Sequence, residues 1–149
     1  MKKWLWIIFI LMTLTACSGK RPNNLGIKNG QLAPCPGSPN CVLSMETDSK
    51  HAIPPLSYTG DKRHAKAVLE KIIESMDRVS RVEEKPDYLR YEFKTKMFGF
   101  VDDVEFYFPD APQIQVRSAS RLGYSDLGVN RKRIETIRIR FAEMMKQSF

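Results

Sequence analysis

The chain lacks an apolar run long enough to cross a bilayer. Its longest, Trp4 to Leu14, covers 11 residues, against the ~20 that a spanning helix needs. Histidine is scarce, with two in 149 residues. His51 falls on a loop and His64 in the first turn of a predicted helix, and neither has a partner pattern that would make it a catalytic base. There is no G-x-S-x-G elbow, so Ser118, Ser120 and Ser125 are nucleophiles in name only. There is no phosphate loop, no dinucleotide fingerprint and no His/Cys/Asp/Glu cluster with metal-ligand spacing, so no metal and no cofactor is expected. Cysteine is also rare, with three in all. The six-residue step from Cys35 to Cys41 is not a two-residue redox spacing, and no histidine follows as in haem attachment.

The informative part begins at the N-terminus, MKKWLWIIFILMTLTAC. A short basic start, an apolar run and small residues make the pattern of a secretory signal peptide. The sequence LTAC, ending at Cys17, resembles the bacterial lipobox, in which the cysteine carries acyl chains (palmitate) and the peptide is cut just before it. The competing reading is an uncleaved anchor with an incidental cysteine. The lipobox reading makes residues 1–16 a signal peptide and Cys17 a membrane attachment. Ser18 follows, and in enteric sorting a residue other than Asp there implies the outer membrane, facing the periplasm. Such an address argues against nucleic acid as the partner of the net +7 charge. An anionic envelope surface is one partner for it, and plain solvation is the other reading.

Residues 17–33 read as the acylated cysteine and a polar, flexible tether with too few apolar residues to pack. The single domain then runs over 34–149. It opens on PCPGSPNCVLS, whose prolines forbid helix and central strand. With Cys17 acylated, Cys35 and Cys41 are the two cysteines left in an oxidising compartment, and a disulfide between them is the default. A helix is predicted over 61–77, with Asp61 as N-cap and Ala65, Val68, Leu69, Ile72, Ile73 and Met76 as its apolar stripe. Strands follow over 79–84, 88–96, 99–108 and 113–119. Leu89, Tyr91, Phe93, Val104, Phe106, Ile114 and Val116 point inward, while Arg90, Glu92, Lys94, Gln115 and Arg117 point to water. A last helix is predicted over 131–146, with Asn130 as N-cap and Ile134, Ile137, Phe141, Met144 and Met145 buried. The expected class is α+β: a four-stranded antiparallel meander with an N-terminal and a C-terminal helix packed on one face, in two layers.

Two places break local rules. The stretch RSASRLGYSDLGVNRKR, 117–133, holds four arginines and a lysine and leads into the last helix. Arg131, Lys132 and Arg133 oppose that helix's dipole. The compensating charge is either internal, from Asp126, Asp102, Asp103 or Glu105, or an external anion on the helix N-terminus. Asp102 and Asp103 interrupt an apolar strand. If alternation is strict, Asp102 faces the core and needs an arginine; a bulge would instead turn both to the edge. Neighbours on a strand point to opposite faces, which disfavours a catalytic dyad. The candidate anion- or ligand-binding residues are therefore Arg117, Ser118, Arg121, Asn130, Arg131 and Arg133, supported by Asp102, Asp103 and Asp126.

PCPGSPNCVLS, FGFVDDVEF and RSASRLGYSDLGVNRKRIE together resemble the domain-of-unknown-function family 1499. The resemblance implies a shared domain of bacterial envelope and plant plastid proteins and supplies no catalytic assignment. The expectation is a membrane-anchored, non-enzymatic envelope module. It would bind an anionic ligand, lipid headgroup or protein partner through the 117–133 surface. The alternatives are a hydrolase using Asp102 or Asp126 with Arg117, Arg121 or Arg133, and a purely structural protein.

Overall fold

Asp61 starts the first helix. In the computed structural model, its backbone is extended, at φ −80 and ψ 132, and its carboxylate accepts the His64 N–H at 3.0 Å, which satisfies one of the orphan donors of a helix start. Helix α1 (Lys62–Glu74) follows and buries Ala65, Val68, Leu69, Ile72 and Ile73. The structure describes residues 19–96 and 98–147. The signal segment 1–16 and Cys17 lie outside them. Among the described residues, no helix is long and apolar enough to cross a membrane.

The architecture is α+β, an antiparallel sheet with two helices. Its strands are β1 (Cys41–Leu43), β2 (Leu56–Ser57), β3 (Val79–Lys85), β4 (Tyr88–Lys94), β5 (Val101–Tyr107) and β6 (Gln113–Ser120); helix α2 (Val129–Gln147) closes the chain. The strand order is β1-β6-β5-β4-β3, with β2 also on β6. The sheet is thus wider than the four strands expected. β1 and β2 are three and two residues long, too short to show a period of two, and proline-rich segments flank them. One apolar cluster joins Leu69, Ile72 and Ile73 of α1 and Ile134, Ile137 and Phe141 of α2 to Leu89, Tyr91, Val104, Phe106 and Val116 of the sheet.

The opposite face of the sheet is not wet, contrary to the alternation argument. Arg90 is 1% exposed, Arg117 4% and Glu105 0%. The N-terminal segment covers them. Leu32 packs with Leu43 and Tyr88, and Ile27, Cys35 and Tyr107 lie against this group. Lys28 and Gln31 exchange backbone hydrogen bonds of 2.9 and 3.1 Å, and the Gly26 N–H donates to Glu105 Oε1 at 2.7 Å. The tether expected over 17–33 is therefore corrected for residues 26–32. Two apolar side chains and one N–H over a buried carboxylate dock a segment whose composition alone reads as free.

Candidate functional site

The charged face is built by strand register. Glu105 lies opposite both Arg117 and Arg90, and Arg90 opposite Glu83, so opposite charges alternate across the strands. Arg117 Nη1 donates to Glu105 Oε2 at 3.1 Å, Tyr88 donates its hydroxyl to Glu105 Oε1 at 2.8 Å, and Arg90 Nη1 donates to Asp103 Oδ1 at 3.1 Å. Arg121 grips Asp103 with two bonds, 2.8 and 2.9 Å, and also donates to Glu92. The Asp103 bonds raise the Arg121 guanidinium above its ordinary pKa against the opposing effect of burial. One donor, Arg117 Nε, is buried without a partner.

A second polar group lies on the helix side. Asp102 accepts from Arg133 Nη2 at 2.6 Å. Arg133 Nη1 also donates to Ser118 Oγ at 3.1 Å and to Asn130 Oδ1 at 2.8 Å, and its guanidinium sits 4.7 Å over the Phe93 ring. The Ser118 hydroxyl donates to Asn130 Oδ1. Asn130 is not the N-cap expected: α2 begins one residue earlier, and the Asn130 side chain is buried, donating to Ser120 Oγ, to Asp126 and to the Asn40 carbonyl. Asp126 takes over the helix start, accepting the backbone N–H of Asn130 at 2.7 Å and of Gly128 at 3.0 Å. An aspartate four residues ahead of a helix position reads as loop in sequence, because only the backward fold of 126–129 brings it to the N–H groups.

Arg131 donates to the carbonyls of Ala52 and Lys50. Cys35 and Cys41 are joined by a disulfide, with Cα atoms 5.7 Å apart. His51 bonds Asp48 and the Ser38 carbonyl through its two ring nitrogens, which ties the cysteine loop to the following turn.

The candidate residues are thus divided. Arg117, Arg121 and Asp103 are on the face under the N-terminal segment; Asp102, Ser118, Asn130 and Arg133 are on the helix side. Each of the four arginines is engaged within the chain. Arg133 is the arginine that reaches Asp102, and among the described residues no second arginine pairs with it. Among the described residues, no group of three or more His, Cys, Asp or Glu could hold a metal ion.

An open groove lies where the C-terminal end of α1, the end of β4 and the first turns of α2 meet. It measures about 560 Å³ and is lined by Arg78, Lys94, Lys96, Lys132, Arg133 and Arg140, with Asp77 its single carboxylate. Arg78 has a left-handed φ of 55; its Nε donates to the Lys94 carbonyl at 3.3 Å. Lys94, Lys96 and Lys132 have no carboxylate within ion-pairing distance among the described residues. Of these cations only Lys132 and Arg133 belong to the 117–133 stretch. The others come from three separate elements and read in sequence as scattered surface charge; no period or spacing marks their convergence. Beside the groove, and sharing Thr95 and Val129 with it, is a cleft of about 250 Å³. Its walls are Phe98, Phe100, Leu122 and Leu127, and Asp102 and Ser120 also line it.

No curated protein and no solved structure matches the chain. The sequence profile described as "Protein of unknown function (DUF1499)" matches residues 31–141, which hold the cysteine loop, the sheet and most of α2. The chain belongs to the DUF1499 family.

Proposed function

We propose that this protein is a lipid-anchored, non-enzymatic module of the bacterial envelope that binds an anionic ligand in the basic groove. The N-terminal pattern, a signal peptide ending at Cys17, supports attachment at the outer membrane facing the periplasm. The reading takes both helices to lie on one face of the sheet, as their shared apolar cluster supports. The observation that carries the binding role is the groove's balance of charge, six cations around one carboxylate, three of them lysines with no carboxylate at ion-pairing distance among the described residues. Such a concentration of one sign is costly to hold together without a counter-charge and raises the local concentration of anions. Arg133 and Lys132 keep part of the 117–133 surface in the site, whereas Arg117, Arg121 and Arg131 act as braces.

Titration calorimetry with inorganic phosphate and with a water-soluble short-chain phosphatidylglycerol tests this. Binding is expected to weaken with salt, because exposed charges are screened beyond ~10 Å at 0.1 M. The double variant Lys94→Glu with Lys132→Glu is expected to lose the binding without any loss of thermal stability, both side chains being exposed and a glutamate at position 132 suiting the helix dipole better than lysine. Equal affinity in the variant, or no heat from either anion with the unsubstituted chain, removes the groove as the site.

A further inference from the structure

The cleft beside the groove is rimmed by apolar side chains that nothing among the described residues covers. Leu127 is 93% exposed, Tyr124 74% and Phe98 63%. Phe98 and Phe100 stack with ring centroids 5.4 Å apart. Leu127 is held at φ 53, a left-handed conformation unusual for a leucine, so the chain accepts strain to present this side chain outward. Large apolar groups gathered at one exposed end mark a contact surface.

The path of the chain says what that contact is. Gly19 lies against Leu122: a Cβ there would stand 2.9 Å from Arg121 Cβ and 3.0 Å from Leu122 Cγ. One residue, Ser18, separates Gly19 from Cys17, and two peptide links reach at most about 7 Å. Acyl chains on Cys17 would therefore start beside the apolar rim. The cationic groove opens at the same end, sharing Thr95 and Val129 with the cleft.

We propose that the rim formed by Phe98, Phe100, Leu122 and Leu127 docks on an anionic bilayer, these apolar side chains entering the boundary between headgroups and acyl chains and the groove's lysines facing the phosphates. The proposal rests on the anchored reading for how the chain reaches the membrane. It adds which end faces the lipid and that the domain lies on the surface rather than standing off it. An apolar rim beside basic residues is the composition of interfacial binding.

The two tryptophans of the chain are Trp4 and Trp6. In the full chain carrying Trp4→Phe and Trp6→Phe, Phe98→Trp supplies the sole indole. A second chain carries Ala111→Trp instead, in the exposed turn at the far end of β5, about 20 Å away at ~3.3 Å per residue. Both are reconstituted in phosphatidylethanolamine–phosphatidylglycerol vesicles with brominated acyl chains. The expected result is a blue-shifted emission at position 98, quenched several-fold more than at position 111. Equal quenching at the two positions, or none at 98, overturns the proposal. A blue shift at 98 without quenching, together with a doubled mass by light scattering of detergent-solubilised protein, assigns the rim to a second copy of the chain and overturns it too. Intact mass reads acylation of Cys17 separately: an unacylated chain still quenched at 98 ends the anchor reading and keeps the docking surface.

Discussion

Arg90 is the largest of the fully buried side chains, and its surroundings show what a sheet must supply to hold a charge away from water. Desolvating an ion costs several kcal/mol, offset only by close and well-aligned partners. Arg90 has Asp103 at 3.1 Å, Glu83 at 3.5 Å and Glu92 at 3.6 Å. Asp103 serves Arg90 and Arg121 together, so Asp103→Asn leaves two guanidinium groups short of a carboxylate at once. The expected cost is about 3–5 kcal/mol, read as a lower urea midpoint at unchanged slope; a loss below ~1 kcal/mol, the size of a surface pair, would mean that water reaches the network. Tyrosine ionisation checks the same region. Burial pushes the Tyr88 hydroxyl far above the ordinary phenol range, and the charge and hydrogen bond of Glu105 add to it; burial, then Glu74, raises Tyr91 likewise. A raised folded pKa stabilises the protein below the ordinary value of ~10, and that contribution is lost as pH rises above it. Of the five tyrosines, two are therefore expected to stay protonated in the folded protein and to ionise only as it unfolds in alkali, while all five titrate together in urea. Five reversible ionisations in the folded state would contradict the packing around Glu105. Asp102 was legible as a core-facing carboxylate in need of an arginine, because its strand alternates cleanly. Arg90 and Glu105 were not, since a polar residue on the alternate face of a strand reads as solvated until something distant covers it.

The helices and the short strands differ in how they are specified. The start and the apolar face of helix α1 are legible because its cap and stripe are both local in sequence, whereas its end comes three residues before the predicted 77 and leaves Met76 outside the helix. The start of α2 lies two residues before the predicted position 131 because its cap is remote: Asp126 reaches forward across 127–129, and Asn130, a good capping residue by type, is drawn into the interior by Ser118, Ser120 and the Asn40 carbonyl. β1 exists because the disulfide loop delivers Asn40 and Cys41 to the edge of β6. There the Asn40 carbonyl accepts the Ser120 N–H at 3.0 Å and its side chain donates to the Gly123 carbonyl at 2.6 Å. Helix α2 has no acidic residue in its first turn, and each of its basic residues there opposes the dipole by roughly 0.3–1 kcal/mol. Asp126 and Asp102 are the compensation, so no bound anion is required to hold the helix start. Asp126→Ala is accordingly expected to cost more than a typical exposed cap, about 2 kcal/mol at the top of the capping range, in thermal unfolding. The Asn130 amide should also lose hydrogen-exchange protection, while the amides of α1 keep theirs. Equal exchange at Asn130 in the variant and the parent would show that the helix start does not depend on this carboxylate.

At the scale of the molecule, the sheet separates two kinds of interior. One is the apolar cluster that buried residues of α1 and α2 share with the sheet, and the other is a charged interior covered by residues 26–32. Composition places the domain boundary at residue 34, which would trim the whole segment away as tether, and the family match begins at residue 31, which would keep only its last two residues. The contacts argue otherwise. Leu32 is buried against Tyr88 and Leu43, a burial worth ~1.5–3 kcal/mol. The Gly26 N–H bond to Glu105 is of the charge-assisted kind, ~1.5–3 kcal/mol. Arg21 adds a weak exposed pair to Glu83 at 3.7 Å. Losing the cover also wets the ladder around Glu105 and Arg117 and weakens each of its pairs. A chain starting at residue 34 is therefore expected to be at least about 3 kcal/mol less stable than one starting at residue 19, on those two contacts alone. Its Tyr88 should then ionise at lower pH than in the longer chain, as burial of the hydroxyl is relieved. Urea unfolding of the two chains side by side gives the answer. Stabilities within ~1 kcal/mol of each other would return the segment to the role of a free tether. Because Gly19 lies against Leu122 while 26–32 lie on the charged face, the segment also fixes where residue 19 sits relative to the sheet. Under the anchored reading proposed above, a segment docked in this way holds the domain with one end toward the membrane.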